Sequence, residues 1–409
     1  MLTGLLFIVT FTFVGLFWAN YRFSLRSSSE NSFVPRWAGT RLFLTNGLNP
    51  YGDQATRQIQ NYVYGATAHS SENQALFLYP FYAFIVFTPF ALIKNLVVAQ
   101  AIWMTVLDLA LLATIVISIY LSNWRISKWM WALLLFFLTF WIHTVHPMIQ
   151  GDPSVLVALF IAIAFLAIRF EHDVLAGVLL VLASIKPQVV FILILFVLIW
   201  AATNGRWALF WSFLGGISLL VIATLLLLPD GWLLQDLRQI ATYLGSSEGG
   251  SPGAIFVHWV PGIGRQMGWV LTVFMAGILF WEWRAVFNND FNWFYWTACL
   301  TLVITTLIGV HTSTINFIVL IPALVLVLAI WNERWGRLGR WLVVLSMISL
   351  FLVLWAFAFV GARHGIPFDL NPFLFLPLPF FLLIGLYWVR WWAIRPPRLP
   401  LDELSVTVG

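Results

Sequence analysis

Long apolar runs dominate this chain. They fall at 2–20, 76–93, 96–121, 128–145, 153–169, 174–201, 206–228, 268–286, 291–310, 313–331, 341–360 and 372–392. Most reach, or nearly reach, the ~20 residues needed to span the hydrocarbon of a bilayer. Only 9% of the residues are charged, against roughly 25% in a soluble domain. No soluble core could bury so much apolar surface, because burial is limited by surface-to-volume scaling. The solvent is therefore lipid, where each backbone amide needs an internal partner, so the runs are helices. The expected fold is an all-α polytopic membrane protein with about 11–13 spans. It forms one transmembrane domain over 1–395, with a short tail at 396–409. Polar chemistry concentrates in two stretches, 21–75 and 229–267.

The net charge of +5 does not point to nucleic acid, because the arginines sit at the ends of apolar segments, where positive charge sets membrane orientation. The links holding Arg125 and Lys128, Arg169, Arg206, and Arg334, Arg337 and Arg340 belong on the cytoplasmic side. So does the tail with Arg390, Arg395 and Arg398. The links 146–152, 229–267, 311–312 and 361–371 then face outward. Tryptophans near segment ends fit an interfacial belt. Cys299, the single cysteine, excludes a disulfide and a thiolate metal site. Residues 1–20 lack a basic lead-in and a small-residue cleavage site, so they are expected to remain as a first span. Both termini are placed in the cytoplasm of a bacterial-type plasma membrane.

Two runs break the pattern. The stretch 174–201 is too long for one ordinary span and is interrupted at Lys186-Pro187. The alternation of charge works only if it goes out and back as a hairpin with that pair at its outer tip. The run 76–93 carries Pro80 and Pro89, which disfavour an uninterrupted helix. The first polar loop holds Arg22, Arg26, Arg36, Arg41 and Arg57, which alone would place it inside. If it lies outside, 76–93 must be re-entrant or interfacial. Within the loop a short amphipathic helix is expected over 34–46, ending at Asn46-Gly47. A turn at 49–52 and a second helix from Asp53 to about Tyr64 follow. Another short helix is expected from Trp232 to Tyr243.

The ordered segments PRWAGTRLFLTNGLNPY (35–51), YPF (79–81), IQGDPSVLVALF (149–160), AGVLLVLASIKPQVV (176–190) and TINFIVLIPAL (314–324) resemble glycosyltransferase family 87. Members of that family are polyprenyl-phosphate-sugar-dependent enzymes of the C-type (GT-C) membrane fold. The resemblance implies an outward first loop with juxtamembrane helices, a lipid-linked donor and an acidic base soon after the first span. Family members show Asn-Asp-Phe where this chain has Asn31-Ser32-Phe33. The base then falls to Glu30 or to another outward acid, Asp53 or Asp152, or the chain is a non-catalytic relative.

A transferase outside the cytoplasm needs a donor activated on a membrane-held phosphate. A carboxylate must take the proton of the acceptor hydroxyl, and cations must stabilise the departing phosphate. Glu30 suits the first role by location, though an ordinary loop acid fits equally well there. Asp53 has the placement of a helix cap, as does Asp152 ahead of Pro153. Of Arg36 and Arg41, one can clasp a phosphate while the other snorkels to headgroups. Lys186 inside an apolar run is costly and calls for a reason. It either pairs with the donor phosphate or snorkels from a turn. Tyr51, His146, Gln150, Gln188, His311 and Asn316 complete the candidate binding set, although helix–helix hydrogen bonding is the commoner role of such residues. Asp108, deep in 96–121, is a functional candidate or a hydrogen-bonded acid between helices.

The expected reaction moves a hexose such as mannose, or a pentose, from polyprenyl phosphate to a glycolipid or glycan acceptor, with inversion. No cofactor is required, and no spacing of acids argues for a metal. A transporter or lipid-linked-sugar flippase is the rival reading, drawn from the broken helix at Lys186-Pro187 and from Asp108. Internal repeats, which such proteins often carry, are not evident.

Overall fold

The computed structural model describes residues 2–27, 31–68, 75–228, 251–287, 289–308, 312–366 and 368–394, with side chains from Thr10 onward except that of Asp369. Every regular element among the described residues is helical. In chain order they are α1 (Leu2–Ser24), α2 (Phe33–Asn46), α3 (Asp53–Tyr64), α4 (Phe84–Ala91), α5 (Leu96–Leu121), α6 (Lys128–Phe140) and α7 (Ile142–Ile149). Next come α8 (Ser154–Arg169), α9 (Asp173–Ala183), α10 (Pro187–Thr203), α11 (Trp207–Leu227), α12 (Pro252–Trp259) and α13 (Gly264–Val286). The last are α14 (Phe291–Leu307), α15 (Ile321–Arg334), α16 (Gly336–Arg363), α17 (Pro372–Phe375) and α18 (Pro377–Ile394). A 3₁₀ segment, Thr314–Leu320, leads into α15.

Among the described residues, six helices are long and apolar enough to cross a membrane, and α6 with α7, bent by 49° at Trp141, makes a seventh if counted as one span. That is fewer than the apolar runs. Part of the difference lies in α4, α8, α9, α10 and α14, which are apolar but shorter than a full crossing; the run 2–20, in α1, is also not among the six. Helices α8 and α10 start, and α9 stops, where Asp152 and Lys186 bring polar groups inward.

Hydrogen bonds sort the helix ends into two sets. At one end Arg169 donates to the carbonyls of Tyr120 and Leu121 at 3.0 and 3.4 Å and to Asn123 Oδ1 at 2.7 Å. Arg206 donates to the Ile168 carbonyl at 2.9 Å and pairs with Asp173. The Arg125 N–H reaches Glu333 at 2.8 Å. At the other end Ser32 donates its N–H to the Gln150 carbonyl at 2.9 Å, and Lys186 meets Asp152 and Asn316. The links expected to share a cytoplasmic side thus share one end of the bundle, the arginine end.

The expected hairpin is present. Helix α9 begins beside Arg206, which follows α10, and Lys186 at the turn between them lies at the opposite end. Lys186 adopts φ −118° and ψ 76°, outside the helical region as the residue before proline tends to be. Pro187 then opens α10 from its first position, where its missing N–H costs nothing.

Residues 75–95 do not cross. Their helix α4 is eight residues long, and both flanks stay at the Lys186 end. Tyr82 Oη donates to the Ser184 carbonyl at 3.0 Å. Trp37 Nε1 reaches the carbonyls of Phe90 and Ile93 at 3.1 and 3.3 Å. This folded-back segment covers α2, so α2 is largely buried instead of lying amphipathically on the surface. Gly39 permits the contact, because a Cβ there would sit 2.7 Å from Phe77 Cδ2. Helix α2 ends as expected at Gly47, whose φ of 65° is a conformation glycine adopts without strain. Helix α3 is the amphipathic one, burying Ala55, Ile59 and Gln60. The segment 232–243 lies outside the described residues.

Candidate active site

The sequence turns sharply between α7 and α8. Gly151 takes φ +60° and a Cβ there would lie 3.2 Å from that of Phe33, so the turn needs glycine. Its carbonyl accepts from Trp103 Nε1 at 2.8 Å, and Phe33 stacks on Trp103 with ring centroids 5.4 Å apart. The turn presents Asp152, 4% exposed, whose Oδ1 accepts the Ser154 N–H at 2.8 Å and so caps α8.

Lys186 closes on the same oxygen. Its Nζ lies 2.6 Å from Asp152 Oδ1, 2.7 Å from Ser154 Oγ and 2.8 Å from Asn316 Oδ1. Ser154 Oγ also bonds Asp152 and Asn316, and Asn316 Nδ2 donates to Thr312 Oγ1 at 3.1 Å. Four short or broken elements are thereby pinned at one point: the start of α8, the α9–α10 tip, the 3₁₀ segment and the strand of chain before it. Burial works against charge on Asp152. The Lys186 ammonium, the hydrogen bonds from Lys186 and Ser154, and the charge of Arg36 outweigh it and hold the carboxyl below the usual carboxylate range. No hydrogen bond from a described residue reaches Asp152 Oδ2.

Arg36 enters from the first turns of α2. Nη1 donates to the Ser32 carbonyl, and the guanidinium lies 4.6 Å from the Tyr79 ring centroid. Tyr51 Oη donates to the Tyr79 carbonyl at 2.6 Å, tying the 49–52 turn to the same corner. Arg36, Lys186 and Asp152, two cations and one carboxylate, leave a net positive charge on this trio.

The other candidates make different contacts or fall outside the described residues. Arg41 donates to the Ala91 carbonyl at 2.8 Å and so caps the end of α4. Asp53 is exposed and is the first residue of α3, after its cap Gly52. Gln150 contributes its carbonyl to Ser32. Gln188, in the first turn of α10, is partly buried. His146 stacks on Phe368 with centroids 4.7 Å apart. Glu30 and His311 lie outside the described residues. Asp108 accepts from Asn20 Nδ2 at 2.7 Å, a bond between α1 and α5. Sequence reasoning missed Ser154 and Asn31. Asp-x-Ser at a helix start, and Asn two residues before a helix, were the available signals. Among the described residues no three His, Cys, Asp or Glu side chains gather as metal ligands.

Comparison with protein families gives a match to one family model, described as Glycosyltransferase family 87, over residues 77–308. That is more than half of the chain. It includes the segments 149–160 and 176–190, which build the Asp152–Lys186 pair, and leaves 35–51 and 314–324 outside. No curated protein and no solved structure matches.

Proposed function

The chain belongs to glycosyltransferase family 87, and from that premise we propose that it transfers a hexose such as mannose, or a pentose, from polyprenyl phosphate to a glycolipid or glycan acceptor. The observation that carries this reading is the polar cluster at the end of the bundle opposite the arginine end, with Arg36, Asp152, Lys186 and Asn316 drawn together inside an apolar protein. By the positive-inside rule the arginine end is cytoplasmic, so the cluster faces outward. Nucleotide sugars are absent on that side, and a phosphodiester on a lipid is the activated form available there. A phosphodiester carries one negative charge, which suits the net positive charge of the trio.

The reaction is a single displacement. The acceptor oxygen attacks the anomeric carbon, the bond from that carbon to phosphate oxygen breaks, and polyprenyl phosphate leaves with the electron pair. Configuration inverts. A base must take the acceptor proton as the bond forms. Asp152 is poorly suited, because a carboxylate held ionised by a buried ammonium has little proton affinity. Glu30, directly before Asn31 and two residues before Ser32, is the acid we assign as base, with Asp152 organising the site. Asp53, exposed on α3, is left outside it. The chain's own cations can neutralise the leaving phosphate, so this route has no step that requires a metal.

Purified protein supplied with polyprenyl-phosphate sugars should form a glycosylated acceptor and release polyprenyl phosphate. Glu30→Gln should lose transfer while keeping its fold. Full activity in Glu30→Gln removes the base assignment, and transfer from nucleotide sugars alone removes the donor class. The rival transporter reading is weakened by Asp108, whose carboxylate is engaged by Asn20 between two helices.

A further inference from the structure

The two cations of the cluster dispose of their protons differently. Lys186 gives protons to three oxygens among the described residues, at 2.6, 2.7 and 2.8 Å. Arg36 spends Nη1 on the Ser32 carbonyl, and its Cζ lies over the Tyr79 ring, 4.6 Å from the centroid. Its Nε is buried and has no acceptor among the described residues.

Asn31 repeats that pattern. Its Oδ1 accepts the N–H groups of Phe33 and Val34 at 3.0 and 3.1 Å, which fixes the side of the amide that faces the helix. Its Nδ2 is then turned away, buried, with no acceptor among the described residues. The guanidinium of Arg36 folds back onto the carbonyl of residue 32, so one open donor lies just before α2 and the other in its first turn. The helix amides themselves are spoken for. Ser32 gives its N–H to Gln150, Phe33 and Val34 give theirs to Asn31, and residue 35 is proline. Buried donors without acceptors cost free energy, and two of them beside a net positive charge call for an acceptor supplied from outside the protein.

Resting on the donor class proposed above, we infer that Asn31 Nδ2 and Arg36 Nε receive a non-bridging oxygen of the donor's phosphodiester, and that Lys186 acts through Asp152 as a positioning residue. Asn31 directly precedes Ser32, so this places the leaving phosphate at the start of α2. Asp152 is the carboxylate whose charge Arg36 feels among the described residues, and its pairing with Lys186 leaves Arg36 free to face an anion.

The test is binding of polyprenyl phosphate, with polyprenol as the control lacking phosphate, to the full chain in phosphatidylcholine nanodiscs. Asn31→Asp keeps a capping oxygen for Phe33 and Val34, removes the amide donor and sets a negative charge against the phosphate. It should bind polyprenyl phosphate at least about tenfold more weakly at unchanged thermal stability, with polyprenol affinity unaltered. Arg36→Gln should behave alike. Equal polyprenyl phosphate affinity in wild type and Asn31→Asp overturns the subsite while leaving the transferase reading intact. A wild-type chain that does not prefer polyprenyl phosphate to polyprenol overturns the donor class and the subsite together. Displacement of polyprenyl phosphate by an equal amount of phosphatidylglycerol reduces the contact to a general lipid-phosphate site and overturns its assignment to the donor.

Discussion

Among the described residues three oxygens receive the protons of Lys186, and this explains why a lysine persists inside an apolar run. Burying an ammonium is tolerable when a carboxylate and further acceptors surround it. Removing one partner leaves the other charge buried and alone, so Lys186→Met or Asp152→Asn should each lower stability by roughly 3–5 kcal/mol. The double variant Asp152→Asn with Lys186→Met should recover a good part of that loss, because no lone charge remains. Unfolding of the purified variants measures both. The pair also sets a pH dependence. The Asp152 carboxyl is held below its ordinary range when folded, so its contribution is complete at neutral pH and fades as pH falls through that lowered value. The melting temperature of the wild type should drop on acidification, and Asp152→Asn should flatten that drop. Gly151 has a separate task. Alanine there must hold φ near +60° against Phe33, at about 1 kcal/mol of strain, and the shift would fall on Asp152. Gly151→Ala should therefore lose more activity than stability.

The elements that fold back or break position the site, and the sequence announced them unevenly. Lys186-Pro187 was legible because a charge followed by proline has one sensible reading inside a membrane, a turn between two short helices. Its three partners were not, since Asp152 and Asn316 lie 34 and 130 residues away and Ser154 looks like any helix-start serine. Pro80 and Pro89 likewise signalled that 76–93 is not one uninterrupted helix but left its crossing open, and the burial of α2 beneath it depends on Gly39 receiving Phe77, a packing contact without local signature. Periodicity was a poor guide to α2, because a helix covered on most sides is not amphipathic. Asp108 marks the opposite case. Its depth suggested function, but its hydrogen bond to Asn20 ties α1 to α5, and interhelical bonds of this kind are worth about 1 kcal/mol. Asp108→Ala should cost roughly that much stability and retain sugar transfer. Loss of transfer at full stability in that variant would restore the central-site reading.

On the scale of the whole molecule the decisive feature is polarity between two ends. Arg125, Arg169, Arg206 and Arg334 collect at one, and Asp152, Lys186 and Asn316 at the other. Charge placement along the sequence foretold this division well, because each span reverses direction and the arginines recur at every second link. The depth of each span was less legible, since α8 and α14, of 16 and 17 residues, arise from runs that read as full crossings. The most direct test uses sealed vesicles of known orientation containing the purified chain, with polyprenyl-phosphate sugar in both leaflets and acceptor added outside. Transfer should occur only where a tag near residue 68 is exposed on the same side as the acceptor. Transfer confined to vesicles exposing the arginine end, or driven only by nucleotide sugar added there, would contradict the account.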